Sequence, residues 1–298
     1  MSFAEFVYAV LLKPPMLRRA ANATLRALVP DIVRVGEALI WLNPRDPVVS
    51  GALALRVFER GEIDFLRAHL NGDMTFVDVG ANVGLYTGLA LAQSDFRGTI
   101  VAVEPHAESL LFLRKTIQSN GGADRQRSVI LCAVAASDRP GSVTLYKNSQ
   151  NRGDNRLYAD ALLDEQEVVS TDTLDNICSR HGIGSIQFLK LDVQGAEAKV
   201  LSGATGVLSG SADCILMTEF WPYGLERMGT DGLRYLELVG DLGFTLFRSP
   251  RKADALVPVS DPRELVSGLR GRRYTNLVGL KGAFLGQAGT DRRGRAIS

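Results

Sequence analysis

Four carboxylates and one lysine stand where they could do chemistry. Asp78 lies in the run Phe76-Val77-Asp78-Val79, and Glu104 follows Ile100-Val101-Ala102-Val103. Asp192 follows Phe188-Leu189-Lys190-Leu191, and Glu219 lies near the end of Cys214-Ile215-Leu216-Met217-Thr218-Glu219. Acids at the ends of apolar strands can accept hydroxyl hydrogens, face a cation or take up a proton. After Asp78 the chain breaks into Gly80-Ala81-Asn82-Val83-Gly84, and Leu85 and Tyr86 begin a helix. Strand, tight turn, helix and second strand ending in an acid read as the first βαβ unit of a nucleotide-binding sheet.

The spacing of that turn narrows the nucleotide. A dinucleotide fingerprint aligned on Gly80 needs glycine at 82 and 85, where this chain has Asn82 and Leu85. Asn82 still tolerates a positive φ, and Gly80 and Gly84 allow close approach of the backbone to a ligand. Close packing of a pyrophosphate is disfavoured. A carboxylate at Asp78 repels phosphate but suits an ammonium group, and Glu104 lies about twenty residues past Gly84, the offset at which an acid meets ribose hydroxyls. Adenosine at one end and an amino acid at the other satisfy both, which points to S-adenosylmethionine. The same residues also fit a buried strand, a tight turn and a surface glutamate.

The elements that must position these groups alternate. Strands are expected at 75–79, 99–104, 128–134, 142–146, 186–192, 214–219, 244–247 and 276–280. Helices are expected at 52–70, 85–93, 108–120, 173–180, 196–208 and 232–242. The polar stretch 147–156 reads as a loop, 31–41 as a hairpin around Gly36, and 1–30 as helical with a break at Pro14-Pro15. Strands alternating with helices, and apolar on both faces, indicate a parallel sheet. The expected organisation is an N-terminal helical and hairpin extension over 1–50, one α/β domain over 51–285 and a flexible tail over 286–298.

Ligands of such sheets bind at the carboxyl ends of the strands, so Asp78, Glu104, Asp192 and Glu219 should converge on one edge. His69 and His181 precede their strands and belong to the opposite edge. His106, after Glu104-Pro105, belongs beside the nucleoside, and no histidine is placed as a general base. Lys190 shares a strand face with Asp192. A buried lysine needs either an ion-pair partner or a role in placing Asp192 or a substrate oxygen.

Composition excludes several classes. The 298 residues carry 34 Lys and Arg against 33 Asp and Glu, a net charge of +1, which disfavours a nucleic-acid partner. Cys132, Cys178 and Cys214 show neither metal spacing nor an even framework, so no metal site is expected and the thiols read as buried and reduced. No apolar run approaches the roughly eighteen residues of a membrane span. Phe3 to Leu12 contains Glu5 and lacks a basic start, which makes it a poor signal peptide, so a cytoplasmic protein is expected. The N-terminal segment could pack on the domain or form a homodimer contact.

Together, Val77 to Gly84, Val103-Glu104-Pro105, Ala136-Ser137-Asp138 with Gly141, Thr173-Leu174-Asp175 and Phe188 to Glu197 resemble the FkbM family of methyltransferases over roughly 55–250. One position departs: the family usually has Glu where this chain has Gln194, which weakens any proposal of a metal held there. The resemblance implies a class I methyltransferase fold with a seven-stranded, mostly parallel sheet, using S-adenosylmethionine. It implies O-methylation of a hydroxyl on a small-molecule acceptor, a sugar or natural product. By the same resemblance, Asp78 with Gly80, Asn82 and Gly84 holds the methionine end, Glu104 the ribose, and Ser137 and Asp138 lie near adenine. Pro105 and His106 accompany Glu104, Glu62 covers the methionine end, and Asp192 sits at the junction of donor and acceptor. Asp192 is the expected proton acceptor, with Glu219 and Lys190 assisting. The acceptor's shape would come from the 147–156 loop, Trp221-Pro222-Tyr223 and the N-terminal segment. Two rival readings are a non-catalytic partner subunit that keeps the fold and a nicotinamide-dependent oxidoreductase.

Overall fold

A computed structural model describes residues 30–54, 60–126, 128–148, 154–161, 163–249 and 256–287. The expected helices of the first thirty residues and most of the expected tail lie outside the described residues.

The chain opens with a hairpin, β1 (Ile32–Val35) and β2 (Ala38–Trp41), turning at Gly36 with φ 56°. Helices α1 (Pro47–Ala54) and α2 (Arg60–His69) follow. The sheet begins with β3 (Phe76–Val79), α3 (Leu85–Ala92), β4 (Ile100–Val103), α4 (Ala107–Ser119), α5 (Gly122–Gln126) and β5 (Val129–Cys132). A side excursion carries β6 (Ala135–Ala136), β7 (Gly141–Lys147) and β8 (Glu165–Asp172). The chain returns through α6 (Leu174–Arg180), β9 (Phe188–Leu191), α7 (Glu197–Ser202), α8 (Thr205–Ser209) and β10 (Cys214–Phe220). It closes with α9 (Pro222–Arg227), α10 (Gly232–Asp241), β11 (Thr245–Arg248), β12 (Val257–Pro258), α11 (Pro262–Gly268) and β13 (Thr275–Lys281).

The main sheet has eight strands in the order β12-β11-β13-β10-β9-β3-β4-β5. Pairing is parallel from β10 through β9, β3 and β4 to β5, and antiparallel around β13. The seven strands from β11 to β5 form the class I methyltransferase sheet. The eighth, unexpected from sequence, exists because Val257 and Pro258 pair with Arg248 and Phe247 at the edge. A proline is tolerated there because an edge strand has no second neighbour demanding its N–H. Chain order runs outward from β3 in one direction through β4 and β5, and in the other through β9 and β10. The crevice at that reversal is where such sheets bind ligands.

Two expectations about elements change, over 196–208 and at β8, and a third is described only in part. The helix expected over 196–208 is two helices: Gly203 packs so closely on the Ser137 carbonyl that a Cβ would collide, and Asp175 accepts from the N–H groups of Gly206 and Val207. The helix expected over 52–70 is described only as α1 and α2, with 55–59 outside the described residues. The missed strand β8 reads as polar because it belongs to a small three-stranded sheet, β6-β8-β7, with one solvated face.

Two apolar layers sandwich the main sheet, and the strands alternate between them. Phe76 and Phe188 enter the layer shared with the hairpin, α2, α3 and α4, whereas Val77, Val79, Leu189 and Leu191 enter the layer shared with α6, α7 and α10. Each such side chain contributes about 1.5–3 kcal/mol by leaving water. Period-two alternation puts Asp78 and Lys190 on the Phe76 and Phe188 side, beneath α3, at positions where a hydrophobe would stabilise more simply. The register sets them directly opposite each other on adjacent strands.

Candidate active site

A single pocket of about 660 Å³ runs along the carboxyl edge of β4, β3, β9 and β10. One end is built by backbone. Gly80 and Ala81 donate their N–H groups to the Val103 carbonyl, extending the ladder past the end of β3. Asn82 takes φ 49°, the left-handed conformation its short polar side chain tolerates, and its N–H donates to Glu104 Oε2 at 2.9 Å. Glu104 Oε1 accepts from the His106 N–H at 2.9 Å. Burial pushes Glu104 up to about 7, against the pull of these two hydrogen bonds. Each carboxylate oxygen keeps a second lone pair for a ligand hydroxyl. Pro105, Val134, Ala135, Ala136 and Leu145 complete an apolar slot beside Glu104.

The other end is built from side chains. Asp192, 31 % exposed at its side chain, has Oδ2 3.4 Å from the Lys190 ammonium. Asp192 Oδ1 accepts from Gln194 Nε2 at 3.0 Å, and the same nitrogen donates to Glu219 Oε2 at 3.1 Å. Lys190 is buried, with its ammonium 4.7 Å from the centre of the Tyr86 ring. Asp192 is thus the ion-pair partner that a buried Lys190 was expected to need. Trp221, Arg272, Tyr274 and the segment Asp154–Leu157 wall this end. Arg156 stacks over Trp221 at 4.8 Å and pairs with Asp154 and Asp160, while Arg272 pairs with Asp160 and covers Tyr223 at 4.9 Å.

The two ends meet at Gly80. Its φ is 78°, and a Cβ there would collide with the Asp192 carbonyl oxygen. Only glycine lets the nucleotide-type turn and the end of β9 lie in contact.

Among the expected site residues, Gly80, Asn82, Glu104, Pro105, Lys190, Asp192 and Glu219 line this pocket. Six do not. Asp78 is 1 % exposed, and its Oδ2 accepts from both the N–H and the hydroxyl of Thr87, at 3.1 and 2.7 Å. Its Oδ1 is buried without a hydrogen-bond partner, and burial raises its pKa. Asp78 therefore braces the first turn of α3 from below, closed off from this pocket. Gly84, φ 89°, packs under Leu113 and Thr116. His106 is buried at the start of α4, its ring against Ser109 and 3.9 Å from Glu167. Ser137 bonds to Asp138 and to the Asp172 carbonyl, where β6 pairs with β8, and the neighbouring Val134–Ala136 line the pocket in their place. Glu62 accepts from Ser249 and Asn276, and it lines a separate cavity of about 20 Å³ with Lys190, Asp192 and Glu219. Of Trp221 and Tyr223, only the tryptophan reaches the pocket.

Sequence reasoning placed Arg156 only within the acceptor-shaping loop and assigned no role to Glu197, Arg272 or Tyr274. Glu197 is fully buried, and its carboxylate accepts from the N–H groups of Val193 and Gly195. Burial raises it to about 7. An acid at the first position of a helix was a readable signal. Nothing in the basic run Arg270-Gly271-Arg272-Arg273 marks Arg272. No group of three or more His, Cys, Asp and Glu among the described residues could hold a metal, and no helix among them is long and apolar enough to cross a membrane.

The family model described as the methyltransferase FkbM domain matches residues 78–245. Among solved structures, the chain is similar to methyltransferase FkbM from Methylobacillus flagellatus, at 14 % identity and a TM-score of 0.45, covering 89 % of this chain and 59 % of that one. This chain thus spans about three fifths of that protein's structure. M. jannaschii TYW2 in complex with AdoMet is similar at 11 % identity and a TM-score of 0.39, with 84 % of each chain covered. The geranyl diphosphate C-methyltransferase of Streptomyces coelicolor, in complex with Mg2+, geranyl-S-thiolodiphosphate and S-adenosyl-L-homocysteine, is similar at 12 % and 0.40, with 78 % of each covered. No curated protein matches the chain.

Proposed function

The chain belongs to the FkbM methyltransferase family, and from that premise we propose that it is an S-adenosylmethionine-dependent O-methyltransferase acting on a hydroxyl of a small molecule, a sugar or natural product. One observation carries the reading. A single pocket joins an apolar slot with a carboxylate at its mouth to a cluster of two carboxylates, an amide and an ammonium.

The residues present fit the cofactor. Glu104 has spare acceptor capacity for a ribose diol, Val134–Ala136 and Leu145 suit an adenine face, and Gly80, Ala81 and Asn82 bring backbone close to the methionine end. When bound, S-adenosylmethionine supplies a methyl group already activated by the positive charge of its sulfonium. The protein's task is then to orient the acceptor, exclude water and take one proton. Asp192 takes that proton from the acceptor hydroxyl, as the acid at the junction that opens into the pocket. Lys190 on Oδ2 and Gln194 on Oδ1 fix its orientation. Glu219, bridged to Asp192 through Gln194, supports the same end.

The test is calorimetry with S-adenosylhomocysteine followed by labelled methyl transfer to a panel of hydroxyl acceptors. Wild-type protein should bind one S-adenosylhomocysteine per chain, and Glu104→Ala should weaken it. Unchanged affinity in Glu104→Ala would refute the site.

A further inference from the structure

Gln194 occupies a built position. Among the described residues, only it and Asn82 combine a side chain with a positive φ, at 53° for Gln194. That strain persists only where the surroundings impose it. Here the Glu197 carboxylate holds the N–H groups on both sides, Val193 and Gly195. Gly195, at φ 104°, lies so close to Gly224 that any Cβ would meet that backbone. The root of the Gln194 side chain is therefore fixed from both flanks, and its carboxamide reaches the pocket between two strand ends.

What the carboxamide does there follows from its partners. Nε2 lies 3.0 Å from Asp192 Oδ1 and 3.1 Å from Glu219 Oε2. Only the NH2 end can face two carboxylates, since it carries two donors and no acceptor. A point nearly equidistant from oxygens of two acids is the place a hard divalent cation takes when it bridges them. We infer that the Gln194 carboxamide is a positioning residue that stands in for such a cation, holding Asp192 and Glu219 as an adjoining pair and keeping divalent metal out. The inference deepens the proposed function, since it rests on Asp192 as the proton acceptor. It makes proton removal at this site independent of divalent metal. The Lys190 ammonium on the other Asp192 oxygen works in the same direction.

The test titrates Mn2+ alone into the full chain by calorimetry, with S-adenosylhomocysteine titrated into a parallel sample. Gln194→Glu replaces the donor by a third carboxylate. Gln194→Gly empties the place and relieves the left-handed backbone, so it folds even if the first variant does not. Wild type should show no Mn2+ site, Gln194→Glu should bind at least about tenfold more tightly than wild type, and Gln194→Gly should fall between them. Adding Asp192→Asn to Gln194→Glu should abolish the gain. A purely structural role for Gln194 predicts no gain of metal affinity in either variant, and that result overturns the inference. Wild type binding Mn2+ as tightly as Gln194→Glu overturns it as well. Failure of wild type to bind S-adenosylhomocysteine would count against the cofactor reading, while the metal titrations would still decide the role of Gln194.

Discussion

The two ends of the pocket are made in different ways. At the Glu104 end the polar contacts come from one βαβ unit: the turn after β3 and the acid after β4 hold each other through backbone N–H groups. At the Asp192 end, the working groups come from β9, the turn after it, β10, and loops near 156 and 272, and they hold one another through side chains. A backbone-built end suits a ligand that never varies. A side chain-built end can be retuned by substitutions that leave the fold intact. Gly80 is the contact between the two.

This contrast breaks most severely at Asp192. Asp192→Asn should lower methyl transfer by about 10²–10⁴-fold, the usual worth of a general base, while S-adenosylhomocysteine affinity stays within about threefold. An unchanged rate would remove Asp192 from the chemistry. Gly80→Ala should disturb both ends at once, because the added methyl meets the Asp192 carbonyl at a left-handed φ. A stability loss above about 3 kcal/mol in urea unfolding is expected, and a loss below about 1 kcal/mol would mean the ends are not in tight contact.

The Glu104 end should respond to pH. With its carboxyl pushed up to about 7, Glu104 gains a proton as pH falls through that value and loses acceptor capacity. S-adenosylhomocysteine should therefore bind more weakly at pH 6 than at pH 8, and Glu104→Gln should flatten that dependence. Glu197 gives the stability counterpart. Its folded value of about 7 exceeds the unfolded 4.5, so the folded state holds a proton that the unfolded chain has released. The contribution of Glu197 to stability consequently falls as pH rises from about 4.5 to 7. The melting temperature should drop across that window less in Glu197→Gln than in wild type. The smallest effect should come from Asp78→Asn, whose amide oxygen can still accept from Thr87. A change of about 1 kcal/mol in stability with cofactor affinity within threefold would confirm a brace, whereas loss of binding would return Asp78 to the ligand.

The same contrast explains what could be read in advance. The strand positions, the failed dinucleotide spacing and the shared edge of Glu104, Asp192 and Glu219 follow from local patterns and the alternation of elements. The burial of Asp78 was not legible, because periodicity gives the face of a strand and not whether α3 covers it. That Ser137 and Asp138 stand outside the pocket was not legible, because β8, solvated on one face, carries too few hydrophobes to reveal the small sheet beside them. Arg156 and Arg272 meet across Asp160 only in three dimensions, so no sequence window contains the cluster.

The identity of the Glu104 end is set by the ligand it receives. Calorimetry at pH 8 with S-adenosylhomocysteine and, separately, NAD+ tests it most directly. One S-adenosylhomocysteine per chain with no NAD+ bound is the predicted result; NAD+ bound in the absence of S-adenosylhomocysteine binding would contradict it.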